Sequence, residues 1–100
     1  MVIYNVTLKV SWSIHENWFT WMKEKHIPEV MQTGMFIEHK MMRLLDIDEE
    51  EGPTYAVQYV AESRDKVDEY VSVFAPELRK DLINRFGDNV IAFRTLMEWV

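Results

Sequence analysis

The chain contains no cysteine, only three glycines and three prolines, and no excess of basic residues. Without cysteine there are no disulfides and no thiolate chemistry, a composition that fits a reducing compartment and leads to the expectation of a cytoplasmic protein. Eleven Lys and Arg stand against seventeen Asp and Glu, a net charge of −6. The cations are scattered, so a phosphate backbone would be repelled overall and no nucleic-acid partner is expected. No apolar run approaches the roughly 20 residues that span a bilayer, so no membrane partner is expected either. The N-terminal stretch MVIYNVTLKV has no basic lead and is interrupted by Lys9; it reads as a strand rather than a signal peptide. There is no G-x-S-x-G elbow, no glycine-rich phosphate loop and no H-E-x-x-H. The three histidines, His15, His26 and His39, lack zinc-site spacing, and the acidic run Asp46 to Glu51 lacks that of a calcium loop and reads as a solvated turn. Neither a metal nor a cofactor is therefore expected.

What is present is apolar and aromatic: 48% hydrophobic and 13% aromatic over 100 residues, the content of one compact domain spanning residues 1–100. Val2 to Trp12 alternates strictly. Val2, Tyr4, Val6, Leu8, Val10 and Trp12 fall on one face, and Ile3, Asn5, Thr7, Lys9 and Ser11 on the other. A helix follows from Ser13 to Gly34, opened by a Ser13–Glu16 capping box and closed by Gly34. Within it Pro28 disfavours helical geometry at Ile27, which predicts a kink beside His26. Phe36 to Leu45 reads as a second strand and Thr54 to Ala61 as a third. Ser63 caps a second helix that runs to about Phe86, with a kink expected at Pro76 and a stop at Gly87. Asn89 to Val100 makes the last strand.

The order β-α-β-β-α-β with two helices of similar length is the split-βαβ, ferredoxin-like pattern. Right-handed crossovers place both helices on one face of an antiparallel sheet with strand order 4-1-3-2. The second, third and fourth strands are apolar on both sides, whereas a sheet with one solvated face alternates cleanly. Two helices cover only one face. A second copy packed sheet to sheet supplies the other cover, so a homodimer with a barrel-like interior is expected. A chain this short buries only roughly 60–65% of its unfolded surface, which adds to the value of such a partner.

Length, element order and two-sided strands together resemble the dimeric α/β-barrel superfamily. More narrowly, W-x-x-W-M-K-E-x-H-I-P-E-V (Trp18 to Val30), T-Y-A-V-Q-Y (Thr54 to Tyr59) and F-G-D-x-x-x-A-F-R-T-L (Phe86 to Leu96) resemble a family of short bacterial proteins of unknown function. The superfamily includes cofactor-free monooxygenases, haem-degrading enzymes, ring isomerases and effector-binding modules, so the resemblance implies fold and dimerisation and leaves the chemistry open. Its haem-degrading members pair a strand-1 asparagine with a histidine on the second helix. Asn5 matches the first, but residues 64–86 hold no histidine, which argues against haem ligation of that kind.

Polar residues set among apolar strands mark a candidate ligand site, because buried polar atoms must find partners. On this reasoning Asn5, Gln58 and Arg94 are candidate ligand-binding residues, and His26 is a candidate general acid or base. Arg94 suits a carboxylate, and Asn5 with Gln58 a carbonyl or enol. Plainer roles compete. His26 would cap carbonyls at the helix break, Arg94 would pair with Glu38, Glu98 or a partner chain, and Asn5 and Gln58 would pair with each other across adjacent strands. Trp18, Trp21 and Met22 recur at helical spacing and belong to the core. The expected function is small-molecule binding in a pocket between the sheet and a partner subunit. The alternatives are a cofactor-independent monooxygenase or isomerase using His26, and a structural protein whose barrel is packed solid.

Overall fold

The computed structural model describes residues Met1–Val100. Four strands, β1 (Val2–Val10), β2 (Glu38–Arg43), β3 (Thr54–Ala61) and β4 (Val90–Glu98), form one antiparallel sheet in the order β2-β3-β1-β4. This is the ferredoxin-like topology that the element order predicts.

Each helical arm has three parts. The first runs through α1 (His15–Trp21), a π turn (Met22–His26) and α2 (Ile27–Gln32). The second runs through α3 (Arg64–Glu69), a π turn (Tyr70–Phe74) and α4 (Ala75–Phe86). The prolines explain the π turns. Proline has no N–H, and its ring crowds the carbonyl four residues back, here that of Glu24 or Ser72. Widening the preceding turn removes the conflict: Ile27 N–H bonds the carbonyl of Met22, and Ala75 N–H that of Tyr70, five residues back. The expected breaks are thus absorbed without leaving the helix. Ile27 keeps helical angles (φ −59°, ψ −46°) despite preceding Pro28.

The helix boundaries differ from expectation at one end. Ser13 and Glu16 do not form a capping box; Ser13 lies inside a short 3-10 turn, Trp12–Ile14, and α1 starts without a side-chain cap. Tertiary bonds fix the entry instead, from Ser11 N–H to Asn89 O, from Trp12 N–H to Glu51 O and from the Trp12 indole to Glu49 O. Ser63 caps α3 by accepting from Lys66 N–H, and Gly34 takes a positive φ of 78° after α2. β2 is shorter than the apolar run that suggested it: Phe36 precedes the strand and is buried against Tyr4, Tyr59 and Tyr70.

One sheet face packs on both arms. Tyr4, Leu8, Val10, Tyr55, Val57, Tyr59 and Ala61 meet Trp18, Trp21, Met22, Val30, Val67, Tyr70, Ala75 and Leu82 in a continuous buried core. The other face carries no helix. Along β4 it presents Ile91, Phe93 and Met97, which are 53%, 65% and 39% exposed, and Met42 adds to it from β2.

Candidate functional site

Strand parity decides which polar residues meet. In β1, Tyr4, Val6 and Leu8 point into the core, so their register partners do too: Tyr59, Val57 and Tyr55 on β3, and Leu96, Arg94 and Ala92 on β4. Asn5, one residue out of phase, faces the open side with its partners Gln58 and Thr95. The four residues singled out from the sequence are therefore divided between the two faces. His26 and Arg94 lie on the helix-covered side, and Asn5 and Gln58 on the bare side. A single pocket holding all four does not form, because a strand separates odd from even positions by its full thickness.

On the bare side Asn5 is buried by its neighbours. It donates from Nδ2 to Thr7 Oγ1 at 3.0 Å, while its Oδ1 is buried with no protein partner. Gln58 is half-buried between Asn5 and Lys40.

On the covered side the arms and the sheet enclose a cavity of about 20 Å³, room for a water molecule. Its polar wall comprises Tyr4, Tyr59 and Tyr70, His26, Arg79 and Arg94; Val6, Leu8, Met22 and Leu82 are among its apolar lining. Both π turns contribute, the first through Met22 and His26 and the second through Tyr70. The tyrosines cluster, with the Tyr4 ring 5.5 Å from Tyr70 and 6.4 Å from Tyr59. Burial, followed by the neighbouring phenols, pushes the Tyr59 and Tyr70 hydroxyls well above the usual phenol range. They stay protonated and able to donate.

His26 does not cap carbonyls; it closes the first π turn and stacks on Trp21, with ring centroids 4.7 Å apart at 25°. Burial lowers its pKa to about 4. Asp81 opposes that shift, and the Arg94 charge adds to it. At neutral pH it is a neutral imidazole. Arg94 forms no ion pair with Glu38, Glu98 or any other carboxylate of the chain.

Arg79, which the sequence reading passed over, donates from Nη2 to the Tyr4 hydroxyl at 2.9 Å, and its Nε is buried without a partner. A signal for it exists in the sequence. Ala75, Arg79, Leu82 and Phe86 share one helical stripe, so a cation sits among residues that face the core. Beyond the cavity, Arg79, Leu82 and Arg94 also border a surface cleft of about 200 Å³ between α4 and β4, floored by Val90 and Ala92.

At the far end of the first arm, His15 Nε2 lies 2.7 Å from the Tyr55 hydroxyl with the two rings stacked, remote from this cavity. His39 is exposed on the edge strand β2. No three His, Asp or Glu side chains converge to hold a metal ion, and no helix is long and apolar enough to cross a membrane.

The architecture is that of a ferredoxin-like α+β protein with a polar-walled cavity between its helices and its sheet. The chain belongs to the family described as Domain of unknown function (DUF4286), whose model matches residues 1–100. No curated protein sequence matches it. Solved structures share its fold at low identity. A dimeric ferredoxin-like protein from an uncultured marine organism is 13% identical, with a TM-score of 0.74 over 99% of this chain and 94% of that one. An ethd family protein from Bacillus halodurans is 12% identical, with a TM-score of 0.73 and full coverage of both chains. SnoaB, a cofactor-independent oxygenase from Streptomyces nogalater, is 12% identical, with a TM-score of 0.67 over 99% of this chain and 92% of that one.

Proposed function

We propose that this protein is a homodimer joined through its bare sheet faces, and that each protomer binds a small molecule between its helices and its sheet. The ligand enters by the cleft between α4 and β4 and turns its polar end toward the tyrosine-lined cavity. The observation that carries this reading is the convergence of six polar side chains, Tyr4, His26, Tyr59, Tyr70, Arg79 and Arg94, on an otherwise apolar cavity. Such a pattern orients a ligand and contributes little to a core. The cavity itself accepts only a water-sized group, so the body of the ligand rests in the cleft. Paired π turns, a feature often found where helices have been adapted for function, flank the same spot.

Dimerisation rests on the bare face, where Phe93, Ile91 and Met97 are exposed in a row and Asn5 Oδ1 has no partner. Asn5 and Gln58 then belong to the interface between subunits. The marine neighbour is itself described as dimeric.

Ligand binding is tested by thermal shift with a panel of small aromatic compounds. The wild type is expected to be stabilised by some of them, and Ala92→Trp, which fills the cleft from the edge strand, by none. Equal responses in both proteins would place binding elsewhere.

Catalysis in the same cavity is a second reading, as a cofactor-independent monooxygenase or isomerase with His26 as acid or base. It is favoured by the neutral His26 imidazole, which is free to accept a proton at neutral pH. A pKa of about 4 makes it a weak base, so binding is the stronger proposal. His26→Gln would abolish turnover while sparing affinity if catalysis occurs; retained turnover would exclude the role.

A further inference from the structure

The chain has five arginines and a large excess of acid. Arg43, Arg64 and Arg85 each meet a carboxylate, at 2.6, 3.3 and 3.0 Å. Arg79 and Arg94 meet none, although carboxylates outnumber cations throughout the chain. These two unpaired guanidinium groups are the ones that border both the cavity and the adjoining cleft. Asp81, whose charge acts on His26 in the same cavity, is itself engaged by Lys25 at 3.7 Å and Arg85 at 3.0 Å.

From this we propose that the ligand is an organic anion, a small aromatic carboxylate whose charged group sits between Arg79 and Arg94 and whose ring lies in the cleft. A guanidinium presents parallel N–H donors that match the two oxygens of a carboxylate. Arg79 has satisfied one donor with the neutral Tyr4 hydroxyl and keeps Nε buried and unpaired. Leaving a buried charged donor unpaired is unfavourable, and a ligand carboxylate removes that penalty. The cleft wall of Leu82, Ile83, Val90 and Ala92 suits an apolar ring, and its volume of about 200 Å³ is of the right order for one or two fused rings. Arg94 points to the helix-covered side of β4, so pairing of the bare faces in a dimer leaves it accessible.

This inference rests on the binding site proposed above and adds the charge of its occupant. The test is isothermal titration calorimetry with 2-naphthoate and with its neutral counterpart 2-naphthalenemethanol, against wild type, Arg94→Gln and Arg79→Met. The expected result is that naphthoate binds wild type at least about tenfold more tightly than the alcohol. Raised salt should weaken only naphthoate, and each substitution should bring naphthoate down to the level of the alcohol. Arg94 is exposed, so Arg94→Gln leaves the fold intact, and the salt dependence needs no variant at all. Equal binding of both compounds, unmoved by salt or by Arg94→Gln, would overturn the anion assignment and leave the binding site standing. Failure of both compounds to bind would overturn the site and the assignment together.

Discussion

Arg79, on α4, donates from Nη2 to the hydroxyl of Tyr4 at 2.9 Å, tying the second helical arm to the central strand 75 residues earlier in the chain. The bond holds a cation over the tyrosine cluster and sets the polar wall of the cavity. Because the contact is partly buried and charge-assisted, removing the phenol oxygen leaves the guanidinium with fewer partners. Tyr4→Phe is therefore expected to lower stability by about 1–2 kcal/mol in urea unfolding. An unchanged midpoint would mean that Arg79 finds water as readily as it finds Tyr4.

His26 gives the protein a pH dependence of definite sign. Its pKa is about 4 when folded and near 6.5 when unfolded, so above pH 6.5 both states are neutral and the full stability is present. As pH falls from 6.5 toward 4 the unfolded chain takes up a proton that the folded chain refuses, and stability drops by on the order of 3 kcal/mol. Carboxylates titrate over part of the same range, so the comparison is with His26→Phe, which retains an aromatic ring against Trp21. Urea unfolding at pH 7.5 and 4.5 should show the wild type losing more than the variant. Parallel losses would mean that His26 is protonated within the fold.

Two glycines are expected to differ in what they tolerate. A Cβ on Gly52 would run into the carbonyl oxygen of Val10, where the loop closes on the end of β1, whereas one on Gly34 meets open space. Gly34→Ala then carries only the strain of its positive φ, about 1–2 kcal/mol. Gly52→Ala must displace the loop backbone and should exceed that, at about 2–4 kcal/mol. Thermal melts of the two variants check the order, and the reverse order would show that the loop yields easily.

The proposed dimer has a sharp test at Phe93, which is 65% exposed on the bare face. Light scattering at micromolar concentration should return twice the 12.0 kDa of one chain for the wild type and a single chain for Phe93→Glu. A monomeric wild type would remove the interface.

Much of the fold was legible because its signals are local and repeated. Strict alternation in Val2–Val10, a helical stripe containing Trp18, Trp21 and Met22, and the caps at Ser63 and Gly34 each report on a few neighbouring residues, and together they yield the strand order. Ser13 does not cap, because tertiary bonds from Ser11, Trp12 and the Trp12 indole override that local signal. The site was less legible. Asn5 and Gln58 lie opposite each other on adjacent strands but their side chains do not bond, and a parity already contained in the alternation of β1 separates both from His26 and Arg94. Arg79 was hidden for a different reason. A cation on a core stripe resembles an ordinary helix-flank residue until the fold brings Tyr4 against it.

Amide chemical-shift mapping of the isotope-labelled protein during titration with 2-naphthoate locates a ligand between helices and sheet residue by residue. Saturable shifts confined to Met22–His26, Tyr70–Phe74, Arg79–Ile83 and Val90–Arg94 are expected. Shifts confined to the bare face around Asn5 and Gln58, or none anywhere, would rule out a ligand site between helices and sheet.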